Sequence, residues 1–119
     1  MIYEYIIGSD ATPADLTTKF VLGRFTAVGT EGSGFTPIAI DPADPAAAGD
    51  YGVAHSAEPT YTANAIVGVV SLNQRATFRW IAAPGCELKA PASANNGIGC
   101  YSENSGGTAI HQCMMYHEE

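Results

Sequence analysis

Four side chains near the end of the chain have the residue types and spacing of a soft-metal site. His111, Cys113, Met115 and His117 recur at every second position, the period that places side chains on one face of a β-strand. Imidazole, thiolate and thioether are the donors of copper centres. Their Cα atoms would stand about 6.6 Å apart in succession. A straight strand therefore cannot bring all four to one ion through bonds of about 2 Å. Such a site needs a donor from elsewhere, and His55 is the only other histidine. The alternative is a terminal strand with one moderately polar face that pairs across an interface. His111, Cys113 and His117 are the candidate metal ligands, and no cofactor is expected.

Other constellations carry less chemistry. There is no GxSxG elbow and no HExxH pair, so the hydrolase signatures are missing. Clustered carboxylates occur only at Asp41, Asp44 and Asp50, in a proline-rich stretch where turn-capping accounts for them. They lack the alternating ligand pattern of a calcium loop. The chain is expected to be non-enzymatic. Two of its five basic residues, Arg75 and Arg79, lie on the polar face of one expected strand, next to Trp80. Arginine and aromatic residues concentrate in interface hot spots, so Arg75, Arg79 and Trp80 are candidate contact residues. An exposed strand face carrying Arg for solubility is the competing reading.

The elements that must position these residues are short strands. Thirteen Gly and seven Pro in 119 residues mean frequent turns. A hydrophobic fraction of 46% with 14% charged residues is the composition of a folded domain, not a disordered one. Aromatic and β-branched runs separated by Gly, Pro and Asn predict strands at Ile2–Ile7, Lys19–Val28, Thr36–Ile40, Thr62–Leu72, Arg75–Ile81, Cys86–Lys89, Ile98–Tyr101 and Thr108–His117. In the second, apolar residues do not alternate cleanly, which predicts a bulge near Gly23 or burial on both faces. Turns are expected at Thr12–Asp15, where one helical turn is the other option, and at Asn73-Gln74, Pro84-Gly85, Asn95-Asn96-Gly97 and Ser105-Gly106-Gly107. The fold class is therefore all-β, a single domain over residues 1–119, built as a β-sandwich of jelly-roll type with about eight short strands. Residues 1–8 are a strand or an N-terminal arm, and residues 29–52 are a Gly/Pro/Ala-rich excursion.

Charge and cysteine content exclude several partners. The net charge is −7, which disfavours any function that works by neutralising phosphates, so no direct nucleic-acid contact is expected. The longest apolar stretch, Ala65–Val70, is too short to span a bilayer, and MIYEYIIGSD has no basic flank or apolar run of a signal peptide. No membrane association is expected, and synthesis in a cytoplasm is. Three cysteines, Cys86, Cys100 and Cys113, form no CxxC pair; reduced thiols are expected.

From Gly29 onward the order of turns and strands resembles a known family. The turn GTEGSG is followed by TPIAIDPADPAAAG, then by LNQRATFRWIAAPGCELKAPASANNGIGC, and the chain closes on Glu118-Glu119. About three-quarters of the chain is similar to the small capsid decoration, or cement, proteins of tailed bacteriophages. The resemblance implies a virion structural protein, usually a homotrimer, that docks on the outer surface of a phage head and bridges major capsid protein subunits. A strongly acidic protein suits the outside of a DNA-filled shell better than the inside. End strands that pair with a neighbour's open edge would supply contacts, making Ile2, Tyr3 and Tyr5 further interface candidates. On that expectation, deletion of residues 1–8 leaves a folded domain. The rival readings are a tail- or fibre-associated β-domain and a small ligand- or metal-binding β-sandwich.

Overall fold

The computed structural model describes residues 1–103 and 110–117. It contains eight strands and, among these residues, no helix: β1 (Ile2–Asp10), β2 (Thr17–Ala27), β3 (Ser33–Phe35), β4 (Tyr51–Val53), β5 (Thr60–Asn73), β6 (Phe78–Ile81), β7 (Gly97–Glu103) and β8 (Ile110–His117). They form three antiparallel sheets in the orders β6-β1-β8, β5-β2-β7 and β3-β4. All-β architecture follows from turn density: no stretch between Gly, Pro and Asn breakers holds a helical apolar period.

The two three-stranded sheets meet through Tyr5, Ile7 and Phe20, with Leu22, Val70, Leu72, Phe78, Trp80, Cys100 and Met115 packed around them. Register explains which side chains enter. Across the first sheet, Trp80, Tyr5 and Met115 form one inward row, and Phe78, Ile7 and Cys113 the next. Across the second, Val70, Phe20 and Ser102 form one row, and Gly68, Leu22 and Cys100 the next. Side chains alternate between the faces of a strand, so Glu4, Ile6, Arg79, Ile81, Met114 and Tyr116 fall on the outer face of the first sheet.

β2 is buried on both faces, because Phe20 and Val21 are successive residues at 4% and 0% exposure. Its register against β5 shifts repeatedly between Leu22 and Ala27, and Asn64 of β5 adopts φ 61° opposite that region. The irregularity expected near Gly23 is therefore present, and so is two-sided burial.

Several strand assignments change. Thr36–Ile40 pairs with nothing; the small hairpin is made instead by β3 and β4, which flank it at residues 33–35 and 51–53. Cys86–Lys89 is not a strand but contributes a single bridge, Leu88 to Ile2. Arg75 lies in a turn, closed by the Ala76 N–H donating to the Asn73 carbonyl at 2.9 Å, so β6 begins only at Phe78. Residues 12–15 form a bend with no helical turn. At 83–86, Cys86 N–H donates to Ala83 O at 2.8 Å and Gly85 has φ 82°, the geometry of a turn with Pro at its second position and Gly at its third. The expected Ser105-Gly106-Gly107 turn, Thr108 and Glu118-Glu119 lie outside the described residues.

Residues 1–8 are no detachable arm. β1 is the central strand of its sheet, hydrogen-bonded on both edges, and its Ile2, Tyr5 and Ile7 are core residues.

Candidate functional site

The four-residue set on β8 is dispersed by the fold. His111 stands opposite Ser9, and its Nδ1 shares a hydrogen bond with Ser9 Oγ at 2.9 Å. Its ring meets Phe20 edge-on at 5.0 Å. Burial holds its pKa below the usual 6.5, and its Nε2 is buried with no hydrogen-bond partner. His117 turns to the β3–β4 hairpin instead, where Nδ1 shares a hydrogen bond with the Tyr51 hydroxyl at 3.0 Å. Met115 packs into the core. Cys113 faces Cys100 and the Tyr5 hydroxyl. The candidate ligands His111, Cys113 and His117 thus have three different sets of neighbours, and among the described residues no group of three His, Cys, Asp or Glu side chains could hold an ion.

The interface candidates divide between core and surface. Tyr5 is 3% exposed and Trp80 faces the same core, so both rings pack between the sheets. Ile2 is buried and exchanges backbone hydrogen bonds with Leu88, while Tyr3 is half-buried. Arg79 projects from the outer face and its Nε donates to Glu4 Oε1 at 2.5 Å. That hydrogen bond, with the charge of Arg79, draws the Glu4 carboxyl below its ordinary range. Ile81, Met114 and Tyr116 are exposed beside this pair. Arg75 is exposed but belongs to the β5–β6 turn, so the two arginines do not share a strand face.

Two further apolar surfaces are exposed, one of them on the excursion at residues 29–52. Ile38 and Ile40 are 93% and 84% exposed, on the excursion whose base is clamped by β3 and β4. Pro37 and Ala39 are half-buried and the isoleucines face solvent. The second surface is β5, a strand of fourteen residues at a sheet edge, with Ile66 and Val69 more than half exposed. An edge of that length presents unpaired backbone groups that can accept another strand. Its composition, TANAIVGVVSL, reads as a buried strand, which hid its edge position.

A polar fixture was also missed. Gln74 is 2% exposed. Its Oε1 accepts from Ala14 N–H at 3.0 Å, its backbone N–H donates to Leu16 O at 2.9 Å, and its Nε2 donates to Thr18 Oγ1 at 3.2 Å. It pins the β1–β2 connection against β5.

Next to β2, Tyr61 lies across Gly23 and Gly99, which are direct cross-strand partners. Tyr101 stacks on it at 4.4 Å and Phe25 meets it edge-on at 6.3 Å. Burial pushes its hydroxyl up to about 12, which keeps it protonated at any physiological pH.

These surfaces define an all-β domain that exposes apolar side chains and open strand edges, with two ion pairs among the described residues, Lys19–Glu103 and Arg79–Glu4. No helix among the described residues is long and apolar enough to cross a membrane. Comparison with protein-family models, with curated proteins and with solved structures finds no match to the chain.

Proposed function

We propose that the protein is a non-enzymatic virion structural protein: a decoration protein of jelly-roll type, homotrimeric, that docks on the outer surface of a phage head and stabilises contacts between major capsid protein subunits. The observation that carries this reading is the pair Ile38 and Ile40, nearly fully solvated on an excursion with a clamped base. Isolated exposed apolar residues are ordinary; two neighbouring isoleucines at this exposure are a contact arm awaiting a partner. The open edges of β5 and β8 add surfaces for strand pairing, and many weak symmetric contacts act together through avidity. The net charge of −7 suits the side of the shell away from packaged DNA.

The experiment is to mix the purified protein with undecorated heads and image the particles. Added density outside the shell at hundreds of copies is expected, and the double substitution Ile38→Asp, Ile40→Asp should abolish it while leaving the fold intact. A handful of copies at one vertex would favour the tail- or fibre-associated role, and no added density would remove the proposal.

One observation favours a second reading, a small-ligand β-sandwich. A cavity of about 160 Å³ opens between the sheets, lined by Tyr5, Phe20, Leu22, Gly68, Phe78 and Trp80. That volume accommodates a benzene-sized molecule. Saturable quenching of the single tryptophan by toluene would support it, and an unchanged spectrum would dismiss it.

A further inference from the structure

Two cysteines stand on the edge strands of the two three-stranded sheets, one on β7 and one on β8. Cys100 stands opposite Leu22 on the inner face of the second sheet, and Cys113 stands opposite Ile7, itself 1% exposed, on the inner face of the first. The two side chains therefore project from opposite sheets toward the same core residues, Cys100 packing against the Tyr5–Ile7–Phe20 cluster and Cys113 lying beside Ile7, and each shifts the other's ionisation. The Tyr5 hydroxyl is buried with no conventional hydrogen-bond partner, and these thiols are its polar neighbours. Cys113 keeps an exposed side while Cys100 is half-buried, so solutes can reach the pair. Cys86, the third cysteine, sits exposed on the turn at 83–86 and takes no part.

We propose that Cys100 and Cys113 are a dithiol site that oxidises reversibly to a disulfide, covalently tying the two three-stranded sheets together. The oxidant is of the peroxide class. The Cys100 sulfur, as thiolate, attacks one peroxide oxygen; the O–O bond breaks, and with one proton taken up a sulfenic acid forms and water leaves. The Cys113 sulfur then attacks the sulfenic sulfur, its proton leaving with the hydroxyl as a second water, and the S–S bond closes. Two thiols have lost two electrons and two protons to hydrogen peroxide. A dithiol reductant reverses the step by two thiol–disulfide exchanges. The thiolate is the attacking species, and the neighbouring Cys113 favours the ionised form of Cys100, so Cys100 attacks and Cys113 resolves.

The consequence is mechanical. The sheets meet by side-chain packing, and a disulfide between β7 and β8 shortens the free chain of the unfolded state and locks the seam.

The test uses the whole protein, with hydrogen peroxide as oxidant and dithiothreitol as reductant. After peroxide and alkylation with N-ethylmaleimide, intact mass should show one adduct, on Cys86, and the loss of two hydrogens; dithiothreitol should restore alkylation of all three cysteines. Peptide mapping should link Cys100 to Cys113. The oxidised form should melt about 5–15 °C higher. Cys86→Ser should behave as the wild type, and Cys100→Ser and Cys113→Ser should lose both the link and the shift. Three alkylatable thiols after peroxide, a link involving Cys86, or a disulfide only between copies would overturn the proposal. Because mapping is done on the wild type, it decides the matter even where a serine variant fails to fold.

Discussion

The side-chain amide of Gln74 donates to Thr18 Oγ1 at 3.2 Å, and both residues are shut off from solvent at 2% and 0% exposure. A buried amide is tolerated only when its donors and acceptors are matched. Here the partners are the residues that lead from β1 into β2. Gln74→Ala would strand the Thr18 hydroxyl and the Ala14 N–H and leave a void. Unfolding in urea should show a loss of about 2–4 kcal/mol. Thr18→Val, which removes only one partner at nearly constant shape, should cost about 1 kcal/mol. Equal effects would mean that the amide's backbone contacts contribute nothing.

His111 makes the fold acid-sensitive. Burial lowers its pKa from 6.5, so the folded state holds the neutral ring while the unfolded chain binds a proton more readily. The unfolded state therefore takes up more protons as pH falls through 6.5, and stability is lost in that direction. The urea midpoint of the wild type should fall between pH 7 and pH 5 by more than that of His111→Gln. Parallel curves for the two proteins would contradict this.

Removal of residues 1–8 should unfold the protein. It deletes the strand between β6 and β8 together with Ile2, Tyr5 and Ile7, which leaves the remaining apolar faces without a partner. Far-UV circular dichroism and the disappearance of a cooperative melt would report it. A folded truncated domain would show that β6 and β8 can pair without β1.

How far the sequence was legible depends on whether a property is local. The alternation of Phe78, Arg79 and Trp80 named the face that enters the core, and Pro84-Gly85 named its turn, because both depend only on neighbours along the chain. The position of β1 did not follow, since an aromatic strand at a terminus reads the same at an edge as in the centre. Tyr3 and Tyr5 are alike in composition, yet only Tyr5 lies in the core. Likewise, the spacing of His111, Cys113 and His117 correctly put them on one strand face, while their partners Ser9, Cys100 and Tyr51 come from three other segments. Sequence period fixes direction within a strand; only the assembled sheets decide what stands opposite.

Two glycines separate close approach from empty space. At Gly29 an added Cβ would stand 1.9 Å from the Ala57 carbonyl oxygen and 2.6 Å from the Glu58 carbonyl carbon. These are backbone atoms held by the Thr30 N–H donating to Ala57 O at 2.8 Å, so nothing can yield without breaking the Thr30–Ala57 bridge. Gly29→Ala should cost about 2–4 kcal/mol and loosen the base of the excursion. At Gly68, opposite Leu22 on the inner face of β5, a Cβ would meet nothing within 4 Å. Gly68→Ala restrains the unfolded chain and adds apolar surface beside the cavity, so it should stabilise by about 0.5–1 kcal/mol. Urea titrations of the two variants should move in opposite directions. A destabilised Gly68→Ala protein would mean that the inter-sheet space closes in solution.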